Sequence, residues 1–255
     1  MVELKSPGEI QALREAGRVV AQALAAVRAE ARVGVSLKEL DEVAADVIAA
    51  AGAKPAFLNY HPRWAPTPFD GVICASVNDA IVHGVPNGYR IADGDLVSID
   101  CGAFLDGWCG DSAISFIVGT VNPDDQALID ACDAALARGI EQARVGNKIG
   151  DIAYAVGGEA RRDGYGILAD HGGHGVGRAM HEDPHVPNDG RPGRGLKLSE
   201  GLVIAIEPML ITGGSDAYRH DADGWTLRSP DGRRAAHSEH TIAVTAEGPV
   251  ILTAL

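Results

Sequence analysis

The chain has 255 residues, with 22 Lys and Arg against 35 Asp and Glu, a formal charge of −13 and 46% apolar residues. That length builds one large domain or two small ones with a substantial core, and the surplus of carboxylates argues against a nucleic-acid partner held through its phosphates. The longest clean apolar stretches, such as Leu202 to Ile206, stop far short of the ~20 residues of a membrane-spanning helix, and residues 1–9 lack a secretory signal, so a cytosolic protein away from the membrane is expected.

Ser6-Pro7-Gly8-Glu9 is a capping box with Pro at the first helical position, followed by Ile10, Leu13, Ala16, Gly17, Val20 and Leu24 at helical spacing. A second box, Ser36-Leu37-Lys38-Glu39, predicts a helix to about Ala51 that stops at Gly52. Strands are predicted over Gly71 to Ser76, Leu96 to Ala103 and Trp108 to Val118. Asn122-Pro123-Asp124 opens a helix to about Ala143, and Ile149 to Arg162 reads as another. Leu202 to Met209 and Glu239 to Val244 then dominate a second strand-rich half. Arg32-Val33-Gly34 recurs as Arg144-Val145-Gly146, which suggests an internal duplication of helix pair plus strands. No Gly-, Ser- or Pro-rich linker separates the halves, so residues 1–255 are expected to form a single α+β domain, helices covering one face of a largely antiparallel sheet. Cys74, Cys101, Cys109 and Cys132 form no C-x-x-C pair and read as free thiols.

Asp106-Gly107 is a tight-turn signal between two strand runs. A turn there pairs Leu105 with Trp108, Asp100 with Ala113 and Gly102 with Asp111. Asp100 and Asp111 then share one face as diagonal neighbours roughly 7–8 Å apart, near enough for both carboxylates to grip something between them. Two strand aspartates could also simply face water. The apolar run Leu96-Val97-Ser98-Ile99 before Asp100 weighs for burial, which is costly for carboxylates unless they are protonated or bound to a cation.

His181-Glu182-Asp183-Pro184-His185 matches H-E-x-x-H, but that zinc motif works only on a helix and Pro184 blocks one. His174 lies within Gly172-Gly173-His174-Gly175-Val176-Gly177, where the absence of side chains lets other groups approach the imidazole. His83 is ambiguous on its own, and His61, His185, His220 and His237 read as surface or loop residues. Glu207 and Glu239 sit in apolar strands, where a glutamate needs a partner.

Asp100, Asp111, His174, Glu207 and Glu239, taken in order, resemble the five metal ligands of the type I methionine aminopeptidases, compact members of the pita-bread metallopeptidases of family M24. The resemblance runs along nearly the whole chain, through Cys74-Ala75-Ser76-Val77-Asn78, Val82-His83-Gly84-Val85-Pro86, Ser98-Ile99-Asp100, Gly110-Asp111, Gly173-His174-Gly175, His181-Glu182, Ile206-Glu207-Pro208-Met209, Asp223-Gly224-Trp225-Thr226 and Glu239-His240-Thr241. It implies a pita-bread fold of two αβ halves related by a pseudo-twofold axis, and removal of initiator methionine from nascent polypeptides, mainly before a small second residue. It also implies two divalent ions (Co, Mn or Fe, with Zn compatible), Asp111 and Glu239 bridging both, Asp100 on one, His174 and Glu207 on the other. Glu207 would shuttle a proton, His181 would hydrogen-bond the scissile carbonyl, and His83, across the site, would contact the substrate peptide or stabilise the transition state. Tyr60, Cys74, Met180 and Trp225 would wall a methionine-sized pocket. Met180 replaces the aromatic residue associated with that position, and the segment His61 to Asp70 is longer than the family pattern.

Prolidase and aminopeptidase P share the ligand set but usually carry a separate N-terminal domain, whereas here the first helix starts at Ser6, so a minimal catalytic form is expected. A metal-free binding module of the same fold would have lost ligands, and all five are present. A Ser-His-Asp hydrolase lacks its G-x-S-x-G elbow. A monomer is expected, with any ribosome contact transient and confined to a local basic loop such as Arg191 to Lys197.

Overall fold

The computed structural model describes residues 2–255. Helix α1 (Pro7–Glu30) starts at the first capping box, where the Ser6 N–H donates to the Glu9 carboxylate at 2.8 Å and the Ser6 hydroxyl accepts the Glu9 N–H. Helix α2 (Leu37–Ala50) repeats the device with Ser36 and Glu39, and Gly52 follows it at φ 71°. In the second half α3 (Pro123–Gln142) is capped by the Asn122 side chain, which accepts the Asp124 N–H at 2.9 Å. Helix α4 (Ile149–Arg162) begins where the Lys148 N–H donates to Asp151 at 2.7 Å.

Strands from both halves merge into one nine-stranded antiparallel sheet. Its path runs Lys54–Pro55, Asp95–Leu105, Trp108–Val118, Glu239–Thr245, Val203–Ile206, Gly172–Gly175 and Glu182–Pro187. Ile73–Val77 joins it on Asp95–Leu105, and Gly248–Ile251 joins on Glu239–Thr245. The hairpin turns at Asp106-Gly107, both at positive φ, with Leu105 opposite Trp108, as the turn signal predicts. One strand expectation needs correction. Leu202 to Met209 is not continuous, because Val203–Ile206 belongs to the large sheet while Met209–Ile211 pairs with Gly166–Ile167 and Ala235–His237 in a second sheet. Pro208 has no N–H to offer a ladder, so the chain changes sheets directly after Glu207. Residues Glu182 to His185 of the H-E-x-x-H segment lie in the strand Glu182–Pro187 and not on a helix, in keeping with Pro184.

The helices and the sheet bury separate apolar clusters, α1 and α2 against the Asp95–Leu105 strand and α3 and α4 around Ile204, Ile206 and Ile242. Between α1 and the hairpin the two backbones touch: a Cβ on Gly110 would stand 2.7 Å from the Gly17 Cα, and one on Gly17 would stand 2.3 Å from the Leu252 carbonyl oxygen. Gly110→Ala is therefore expected to cost about 3 kcal/mol through overpacking, lowering Tm by about 6–12 °C. Thermal unfolding reads this, and an unchanged Tm would show that the contact is dispensable. All four cysteines are free and buried. Among the described residues no helix is long and apolar enough to cross a membrane.

Candidate metal centre

The sheet register assembles the acidic cluster. Asp100 pairs with Ala113, and Ala113 pairs on its other side with Glu239, so Asp100 and Glu239 flank one position on one face. Asp111 lies two residues before Ala113 and shares that face. His240 pairs with Ile206, and continuing this register by one residue sets Glu207 opposite Glu239. His174 enters from Gly172–Gly175, where Gly173 and Gly175 leave no room for a Cβ: one would lie 2.1 Å from the Ala205 and Asp183 carbonyl oxygens, respectively. The His174 Nδ1–H donates to the Gly175 carbonyl at 2.9 Å, which leaves Nε2 free to face Asp111 at 3.7 Å and Glu207 at 3.5 Å.

Such crowding is unfavourable without a counter-charge. Burial pushes the Asp100 carboxyl up to about 7. Asp111, Glu207 and Glu239 are held well above the usual carboxylate range, first by burial and then by one another's charge and that of Asp100. Burial also drives His174 down to about 3, so its imidazole is neutral and offers a lone pair. Asp100 Oδ1, Asp111 Oδ1 and Glu239 Oε1 are buried without a hydrogen-bond partner. Buried polar atoms ordinarily find partners, and three carboxylate oxygens orphaned together fit a bound cation. Asp111, His174 and Glu239 can each direct a donor atom to within 4.8 Å of the others, and so can Glu207, His237 and Glu239.

Asp100, Asp111, His174, Glu207 and Glu239 line a cavity of about 370 Å³, and His237 lies buried behind that lining. One wall is aromatic: Trp225 packs edge-on against Phe69 and Trp64, each at 5.1 Å, and Phe69 against Phe57 at 6.4 Å. Tyr60, Cys74 and Met180 complete that side, so every pocket residue named from the sequence lines the cavity. The long 61–70 segment lies over Trp225, whose Nε1–H donates to the Thr67 carbonyl at 3.0 Å. His181 stands at the mouth, its ring 4.2 Å from that of His174 and its Nδ1 3.2 Å from the Tyr60 hydroxyl. His83 also lines the cavity, at φ 59°, its pKa lowered to about 3 by burial and then by the nearby His171.

Two histidines escape the sequence reading. His171 lines the cavity 6.1 Å from His83, and no spacing singles it out. His237 is not a surface or loop residue. It is 2% exposed, at the end of the strand Ala235–His237, with Nε2 3.7 Å from Glu207 and 3.9 Å from Glu239. The alternation His237-Ser238-Glu239 was the available signal, since residues two apart in extended chain point the same way. His61, His185 and His220 are exposed, as expected, although His185 reaches the cavity rim.

Residues 11–246 match the model of metallopeptidase family M24. The chain belongs to that family. This M24 chain is 50% identical over 260 residues to methionine aminopeptidase 1 of Mycobacterium tuberculosis, covering 99% of the chain and 95% of the relative. It superposes on the methionine aminopeptidase of Thermotoga maritima with a TM-score of 0.94 at 36% identity, both chains covered fully at 100%. Against the prolidase of Pyrococcus furiosus the TM-score is 0.79 at 25% identity, and the M24 chain covers 65% of that larger protein. Its fold is thus the pita-bread fold of these neighbours, and its use of divalent metal follows from the family and the donor cluster together.

Proposed function

We infer that the chain is a methionine aminopeptidase that removes the initiator methionine from nascent proteins, preferring a small second residue. The observation that carries this reading is the convergence of Asp100, Asp111, His174, Glu207 and Glu239, with unpartnered buried oxygens, on the floor of a cavity with an aromatic wall. Asp100, Asp111, His174, Glu207 and Glu239 would hold two divalent ions, with Asp111 and Glu239 shared between them. Ions held there, Co, Mn or Fe with Zn also compatible, supply Lewis acidity near neutral pH.

The protein's own groups do the rest. Glu207, beside His174 on the cavity lining, would take a proton from the attacking water and deliver it to the departing amine. His181, steadied by the Tyr60 hydroxyl, hydrogen-bonds the scissile carbonyl and supports the oxyanion. His83 contacts the peptide from across the cavity. The thioether of the first residue packs against Trp225, Tyr60, Cys74 and Met180, surfaces that favour polarisable sulfur. The whole chain acts as one catalytic domain, monomeric and cytosolic. The exposed Arg191, Arg194 and Lys197 offer an otherwise acidic protein its local contact with the ribosome.

The test uses purified, metal-loaded protein with Met-Ala-Ser and with an X-Pro tripeptide. Cleavage of Met-Ala-Ser is expected at a kcat/KM at least about a hundredfold above that for the X-Pro peptide, a difference of about 2.7 kcal/mol in transition-state binding. Preference for X-Pro overturns the reading in favour of a prolidase-like enzyme.

A further inference from the structure

His237 lies outside the five-ligand set, yet its surroundings leave it no structural task. Its backbone is fixed on both sides by Ser115, whose hydroxyl accepts the His237 N–H at 3.0 Å and donates to the His237 carbonyl at 2.8 Å. Its strand is locked to Met209–Ile211, with His237 directly opposite Met209. The ring is therefore aimed rather than loose. Nε2 is buried and has no hydrogen-bond partner. The nearest carboxylate oxygens, Glu207 Oε2 at 3.7 Å and Glu239 Oε2 at 3.9 Å, are beyond hydrogen-bonding reach. They are at the spacing of two donors to one ion: with metal–ligand bonds of about 2.0–2.2 Å, donor atoms stand roughly 3–4.2 Å apart. His174 faces the other oxygen of Glu207, so the two imidazoles approach that carboxylate on its separate oxygens.

We propose that His237 is a further ligand of the metal centre, an imidazole donor to the ion that Glu207 and Glu239 also hold. The inference rests on the metallopeptidase reading above. It makes the site on the His174 side richer in nitrogen than the five-residue set, which tilts that position toward Fe, Co or Zn and away from Mn.

The experiment compares full-length wild type with His237→Gln, which keeps a polar group of similar reach. Equilibrium dialysis against Co²⁺ and against Mn²⁺ is expected to show Co²⁺ affinity reduced at least about tenfold in the variant, and Mn²⁺ affinity reduced less. The visible absorption bands of the Co²⁺ form are expected to shift as well. Equal affinities and an unchanged spectrum overturn the proposal, even if peptide turnover falls. X-ray absorption on the wild type with one equivalent of Co²⁺ decides the question without the variant: two imidazoles support it, and one refutes it. Wild type that retains no divalent ion sinks the metallopeptidase reading itself. Wild type that binds ions with an indistinguishable variant sinks only the role of His237.

Discussion

Asp111→Ala is expected to remove metal binding and peptide turnover together, with kcat/KM down on the order of a thousandfold or more, the several kcal/mol that a Lewis acid contributes. Asp111 occupies the centre of the acidic cluster, with one oxygen toward His174 and the other buried and unpartnered. The fold does not depend on that carboxylate. The Asp111 N–H donates to the Thr241 hydroxyl at 3.1 Å, and that hydroxyl donates back to the Asp111 carbonyl at 2.7 Å, so the backbone stays pinned when the side chain is cut. Removing one member of a crowded buried acid cluster also relieves repulsion. The variant's metal-free form should therefore melt no lower than that of wild type, while dialysis shows no tight divalent ion. Retained turnover would falsify the bridging role.

Metal removal should be felt most at alkaline pH. In the metal-free protein the cluster carboxyls titrate above their ordinary values, so the folded state binds more protons than the unfolded chain. Stability from this source is complete below the ordinary carboxylate range and is lost as pH rises through about 7, the value for Asp100, with Asp111, Glu207 and Glu239 displaced in the same direction. His83, His174 and His237 act oppositely: each is lowered to about 3, so their contribution is present above about 6.5 and is lost as pH falls toward 3. The two groups offset each other between roughly pH 4 and 6.5, and only the acid loss remains above that. Bound cations displace those protons, so their stabilising effect must grow with pH. At ion concentrations a hundredfold above Kd the stabilisation is about 2.7 kcal/mol, or about 5–11 °C in Tm. Thermal scans with and without chelator at pH 6 and pH 8 check this. A chelator-induced drop as large at pH 6 as at pH 8 would count against the protonated cluster.

Much of this site was legible because short-range rules fix it. The Asp106-Gly107 turn sets the hairpin register, and that register alone brings Asp100 and Asp111 to one face. The capping boxes at Ser6 and Ser36 likewise locate their helices from four residues each. The misses arise where placement depends on partners far away in sequence. The strand of His237 is only three residues long, so its burial shows in sequence only through the two-residue spacing to Glu239. Its depth comes from pairing with Met209–Ile211, a strand that exists because Pro208 diverts the chain into a second sheet. The same break explains why the apolar run from Leu202 looked continuous. Trp64 and His171 reach the cavity through loop geometry, which carries no repeating pattern to read.

The seam where Trp108–Val118 meets Glu239–Thr245 places the donors across a long span of chain, from Asp100 to Glu239. Neither half holds a complete donor set, and Asp111 and Glu239 come together only where the two sheet halves meet. Cation capture is then a late event in the life of the molecule, unlike that of small zinc modules whose ion nucleates the fold. A divalent ion would then act as a seal on a finished assembly, and adding it back to folded, metal-free protein is expected to restore activity without refolding.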